Sequence, residues 1–75
     1  KLLIIDNFNP NILINNKTIL IYAAENGYYS LVKLLLKDKR VNINMTNQDG
    51  FTALIIASYH GHISIVKLLL ENFVG

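Results

Sequence analysis

Moved along itself by 34 positions, the sequence meets its own copy. Thr18 falls on Thr52 and Gly27 on Gly61, while Ser30, Val32, Lys33, Leu34, Leu35 and Leu36 fall on Ser64, Val66, Lys67, Leu68, Leu69 and Leu70. Eleven of the twenty-one positions in 18–38 are identical in 52–72, and the opening Lys1-Leu2-Leu3-Ile4 echoes Lys67-Leu68-Leu69-Leu70 as a third, partial copy. A period of this length implies stacked units of two elements each, because every unit leaves an apolar face that only its neighbour covers. A single globule around one central core does not produce such a pattern.

Composition narrows the class further. Hydrophobic residues make up 52% of the 75 positions and charged residues 16%, too apolar a mixture for intrinsic disorder. The apolar runs, such as Ile19 to Ala24 and Ala53 to Ala57, fall far short of the roughly 20 residues of a membrane span. Lys1 to Ile5 followed by Asp6 and Asn7 does not read as a signal peptide. There is no cysteine, so neither a disulfide framework nor a thiolate zinc site is available, which favours an intracellular, cytoplasmic setting. The net charge of +2 comes from scattered basic residues. Lys17, Lys33, Lys37, Lys39, Arg40 and Lys67 belong to different elements and converge on no groove, so neither nucleic acid nor a membrane is expected as a partner.

Each unit reads as two short helices and a loop. Thr18 and Thr52 are N-terminal helix signals, followed at helical spacing by Leu20, Ile21, Ala23 and Ala24, then by Leu54, Ile55 and Ala57. Gly27 and Gly61 supply the left-handed residue that ends each first helix. The second helices start at Tyr29 and Ile63. Their expected apolar stripes are Tyr29, Leu31, Val32, Leu35 and Leu36, then Ile63, Ile65, Val66, Leu69 and Leu70; Lys33, Lys37, Lys67 and Glu71 point away. Asp49-Gly50, between the extended-looking Val41-Asn42-Ile43-Asn44 and Phe51, marks the turn of a β-hairpin finger.

This order, together with Asp49-Gly50-Phe51-Thr52-Ala53-Leu54, Ala57, Gly61-His62 and Ile65 to Leu70, resembles the ankyrin repeat. Thr18-Ile19-Leu20, Ala23-Ala24, Gly27 and Leu31 to Leu36 carry the same motif one unit earlier. The resemblance covers essentially the whole chain as one segment: the end of a preceding repeat (1–11), a full repeat (12–45) and most of another (46–75), a piece of a longer array. It implies an all-α solenoid of helix-turn-helix units joined by β-hairpin fingers, binding another protein through the concave face of finger tips and first helices. Two further readings stay open: structural spacer repeats within a longer solenoid, flanked by repeats of the same chain, or the recognition part of an adaptor or enzyme whose active domain lies outside this segment.

The family's Thr-Pro-Leu-His tetrapeptide is Thr18-Ile19-Leu20-Ile21 and Thr52-Ala53-Leu54-Ile55 here, with apolar packing expected where its His would hydrogen-bond. Arg40 reads as a one-residue insertion after the second helix, and the first finger is one residue short, with Asn16 in place of Gly50. At the end of the second helices Asn7 suits the family's left-handed position, whereas Lys39 and Phe73 do not.

Catalysis is not expected. His60 and His62 flank Gly61, yet zinc requires three or four convergent ligands and there is no further His and no Cys, so no metal or cofactor is assigned. His62 is expected to hydrogen-bond backbone near the turn between helices. Glu25, Asp38, Asp49 and Glu71 fall at turns and helix ends, where solvated or capping acids are ordinary. No phosphate loop or nucleophile elbow is present.

By position within the resembled repeat, the partner-contacting residues are Asn15, Lys17, Glu25 and Asn26 in one unit and Gln48, Asp49, Phe51, Tyr59 and His60 in the next. Phe51 and Tyr59 are the strongest candidates, since rigidly held aromatics serve as interface anchors. Alternatively Phe51 packs under its own finger and Tyr59 against the adjoining repeat. The resemblance also marks Asn44 as a finger asparagine of the kind that intracellular oxygenases hydroxylate. Two units and a tail are fewer than the roughly three a stack needs, which would leave Ile4, Ile5, Phe73 and Val74 partly uncovered. The 75-residue chain is therefore expected to be marginally stable or self-associating.

Overall fold

The computed structural model describes residues 9–74, the side chain of Val74 excepted. The readings made on residues 1–8, those of Ile4, Ile5 and Asn7 among them, lie outside the described residues, as does that on the side chain of Val74. Four helices follow one another: α1 (Ile19–Asn26), α2 (Tyr29–Leu36), α3 (Ala53–Tyr59) and α4 (Ile63–Val74). α1 pairs with α2 and α3 with α4; the two pairs then stack, α1 on α3 and α2 on α4. Helices of seven or eight residues do not persist alone in water, so this stacking is what keeps them helical.

The two units start and stop their first helices by the same chemistry. Thr18 and Thr52 have extended backbones, and their hydroxyl oxygens accept from the amides of Ile21 (3.1 Å) and Ile55 (3.2 Å). At the other end Gly27 and Gly61 take φ of 76° and 74°. There the Tyr28 amide donates back to Ala23 O and the His62 amide to Ala57 O, both at 2.9 Å, which closes a Schellman turn in each unit.

The core consists of Leu20, Ile21, Ala23, Ala24, Val32, Leu35, Ala53, Ile56, Ala57, Ile65 and Leu69. Ala23, Ala24, Ala53 and Ala57 lie fully inside, where their small side chains let the first helices approach closely. Each fully buried Ile, Leu or Val contributes about 1.5–3 kcal/mol.

The expected stripes are corrected at specific positions. Tyr29, Ile55, Ile63 and Leu70 remain exposed, while Ile56, absent from the expected stripe, is buried in the core. For Ile55, Ile63 and Leu70 the reason is positional: they belong to the second unit, and among the described residues no further unit packs on them. This does not account for Tyr29, which is exposed at the start of α2 in the first unit. Of the apolar side chains expected to be uncovered at that end, Phe73 is exposed.

The fingers are hairpins reduced to single bridges, Ile14 with Lys17 and Thr46 with Thr52. Asn15 and Asn16 both have positive φ (56° and 67°), the two-residue left-handed turn suited to a hairpin. In the second finger Gly50 takes φ of 83°, and Asn47 Oδ1 accepts from the amides of Asp49 (2.9 Å) and Phe51 (3.0 Å). The closing bond runs from Ile14 N to Lys17 O in one finger and from Asn47 N to Phe51 O in the other, so the first is one residue shorter. Val41 to Asn44 is not a strand: Ile43 and Asn44 form a turn, with the Met45 amide donating to Asn42 O.

α2 ends without a left-handed residue. Its last turn tightens, with the Lys37 amide donating to Leu34 O, and the Asp38 carboxylate then accepts from the Arg40 amide at 2.9 Å. Asn11 ties down the same loop: its Nδ2 donates to Arg40 O at 2.8 Å and its Oδ1 accepts from the Asn42 amide at 2.6 Å. α4 continues through Phe73 to Val74.

Candidate partner-binding surface

The residues singled out for partner contact fall in the two fingers, near the end of α1 and at the end of α3. They are not equally available. Lys17, at the base of the first finger, donates to Glu25 of α1, with Nζ to Oε1 2.6 Å, and both side chains are about one-third exposed. This ion pair fastens finger to helix and contributes about 0–1 kcal/mol at such exposure. Asn26 is exposed, but its amide donates to Tyr22 O at 2.8 Å. Asn15, Gln48 and Asp49 lie exposed in the two fingers.

In the second unit the same two places are aromatic. Phe51 stands 34 residues after Lys17 and Tyr59 34 residues after Glu25. Phe51 is 43% exposed and Tyr59 83% exposed, so Tyr59 does not pack into the adjoining repeat. His60, also exposed, meets the Tyr59 ring edge-on, with centroids 5.1 Å apart. The surface thus passes from a neutralised ion pair in one unit to an aromatic and imidazole patch in the next.

Sequence reasoning did not find the hollow beside the first finger. It is lined by Ile14, Asn15, Lys17, Thr18, Ile19 and Tyr22, and Tyr22 stands half-exposed with its ring edge-on to Tyr28 at 5.9 Å. Tyr22 occupies the position that Ile56 fills 34 residues later. An aromatic in place of a buried aliphatic was the available signal.

The histidines do different things. The rings of His60 and His62 stack with centroids 6.0 Å apart, but only His62 reaches inward, its Nε2 lying 3.1 Å from Glu25 O. Among the described residues no group of three or more His, Cys, Asp or Glu side chains is placed to hold a metal ion. Glu25 is paired with Lys17, and Asp38 is held by the Arg40 guanidinium, with Nη2 to Oδ2 2.7 Å. That bond, and the bond from the Arg40 amide, keep the Asp38 carboxyl below its ordinary 3.8. Asn44 is exposed in the loop, its amide donating to Asn42 Oδ1 at 3.0 Å. Among the described residues no helix is long and apolar enough to cross a membrane.

A sequence-family model for ankyrin repeats, three copies long, matches residues 1–75. No curated protein and no solved structure matches the chain.

Proposed function

The chain belongs to the ankyrin-repeat family, and on that footing we propose that it binds a partner protein across its fingers and the open side of α1 and α3. Ankyrin repeats are generally protein–protein interaction modules, and domains built from them are typically non-catalytic. The observation that carries the finer reading is the exchange of Lys17 and Glu25 for Phe51 and Tyr59 between equivalent places. A mutually neutralised ion pair offers a partner little. Two exposed aromatic rings on capped helices and a pinned finger offer apolar area with little conformational freedom left to lose. The anchors are Phe51 and Tyr59, with His60, Gln48 and Asp49 around them and Asn15, Lys17, Glu25 and Asn26 as the polar flank.

The test compares the wild-type chain, Phe51→Ala, Tyr59→Ala and Lys33→Ala as immobilised baits for proteins of the source cell. A partner retained by wild type and Lys33→Ala should bind each aromatic variant roughly 30-fold or more weakly, corresponding to about 2 kcal/mol. Unchanged binding to both aromatic variants would place the interface elsewhere.

A further inference from the structure

Charge is divided unevenly between the elements. Lys33, Lys37, Lys39, Arg40 and Lys67 belong to the second helices and the loop after α2, with Asp38 and Glu71 as the carboxylates there. The fingers and first helices, residues 12–27 and 46–61, hold only Lys17, Glu25 and Asp49 as Lys, Arg, Asp or Glu. Lys17 and Glu25 neutralise each other at 2.6 Å, and among the described residues no cation lies within ion-pair distance of Asp49. The elements proposed above for partner contact are thus the negative part of a basic chain.

Asp49 and Phe51 share one turn. Asn47 Oδ1 accepts from both of their amides, and a Cβ built on Gly50 between them would meet nothing within 4 Å. Asp49 is exposed, and Phe51 is 43% exposed. These places stay open when a unit stacks beside them. Their counterparts 34 positions earlier are Asn15 and Lys17, and Tyr59 has Glu25 as its own. The second unit is stacked on that first one, yet Asn15 is exposed and the Lys17 and Glu25 side chains are 30% and 33% exposed. A further unit added in the same way would leave Asp49, Phe51 and Tyr59 accessible.

Resting on the interface proposed above, we infer that Asp49 and Phe51 together receive an arginine side chain from a basic segment of the partner protein. A guanidinium suits both groups. Its planar face stacks on an aromatic ring while its N–H groups donate to a carboxylate, which the compact, strongly hydrated ammonium of lysine does less well. A basic segment is repelled by the lysines of the second helices and drawn to the second finger, so the charge that attracts it also orients it. An acidic segment would meet Asp49 with no unpaired Lys or Arg on the fingers or first helices to offset it.

Selection of a phage-displayed random peptide library on the immobilised 75-residue chain tests the site. Affinities of the selected peptides are then measured for wild type, Asp49→Asn, Phe51→Leu and Tyr59→Ala, with far-UV circular dichroism to check that each variant keeps its helices. Asp49→Asn gives the second finger the residue that Asn15 supplies in the first, and Phe51→Leu keeps apolar area while removing the ring. The expected peptides contain arginine and bind both variants roughly three- to tenfold more weakly. Added salt should weaken them more steeply on wild type than on Asp49→Asn. Peptides that weaken on Tyr59→Ala but lack arginine, or that bind Asp49→Asn as tightly as wild type, overturn the inference and leave the proposed interface standing. Peptides indifferent to positions 49, 51 and 59 alike, or no selected peptide at all, count against the interface and the inference with it. Should Asp49→Asn or Phe51→Leu lose helicity, replacing the peptide's arginine by glutamine and measuring on the wild-type chain decides instead, and unchanged affinity overturns the inference.

Discussion

His62 of the second unit hydrogen-bonds the backbone oxygen of Glu25 in the first, with Nε2 to O 3.1 Å. A carbonyl oxygen only accepts, so the bond assigns the proton of the neutral ring to Nε2. The imidazole reaches this oxygen by lying against Gly27. A Cβ built on Gly27 would stand 2.8 Å from the ring's Cε1, whereas one built on Gly61 would have nothing within 4 Å. The residue that ends α1 thus leaves the space through which the next unit fastens on.

Gly27→Ala and Gly61→Ala should therefore differ. Both place a side chain at positive φ, costing roughly 1–2 kcal/mol. Gly27→Ala must also displace the His62 ring and its hydrogen bond, an additional cost of about 1 kcal/mol. Urea unfolding of the two variants and of His62→Ala measures the difference. In the His62→Ala background the Gly27→Ala penalty should fall to that of Gly61→Ala; equal penalties in the wild-type background would show that the ring contact has no energetic weight.

Ile21 and Ile55 occupy the same place in their units, yet only the first is covered. Ile21→Ala should cost about 2–5 kcal/mol, the range for an aliphatic truncated in a packed core. Ile55→Ala should cost far less, about 0.5 kcal/mol, as expected of a half-exposed side chain. Thermal midpoints decide, and comparable losses at both positions would contradict the described burial.

Asp38 supplies the pH dependence. The Arg40 side chain, and then its amide, hold the ionised carboxylate, so its folded-state value lies below the ordinary 3.8. The folded chain binds that proton less readily than the unfolded chain. The contact therefore adds stability above 3.8 and loses it as pH falls through the lower folded value. Asp38→Asn should lower stability modestly at neutral pH, since the pair lies at the surface, and the gap from wild type should close in acid below 3.8. Denaturation midpoints across the acid range check this; a gap constant with pH would mean that the carboxylate's charge is irrelevant to the loop.

Much of the fold was legible because it is written in local chemistry. Threonine before an apolar series, glycine after it and a lysine on the outer side of each second helix require only their near neighbours to act. The asparagine turn of the first finger could be read for the same reason, since Asn15 and Asn16 tolerate the left-handed region without outside help. Legibility failed at Val41 to Asn44, where β-branched residues suggested extension but Asn11, about thirty positions earlier in the chain, holds the loop in a turn. It failed again at Lys17, whose pairing with Glu25 depends on where α1 places that carboxylate.

The sequence by itself determined the period of 34, the four helices and the residues that cap and turn them. Only the tertiary structure decided at which equivalent positions both members are hidden, as at Leu35 and Leu69, and at which only one is. Ile21 and Ile55, or Val32 and Val66, have the same side chain in the same local setting and differ only in what lies beside them. Burial is a property of a neighbour as much as of a residue. A repeat prints the same apolar face again, while the number of faces that find a cover is fixed by how the units stack.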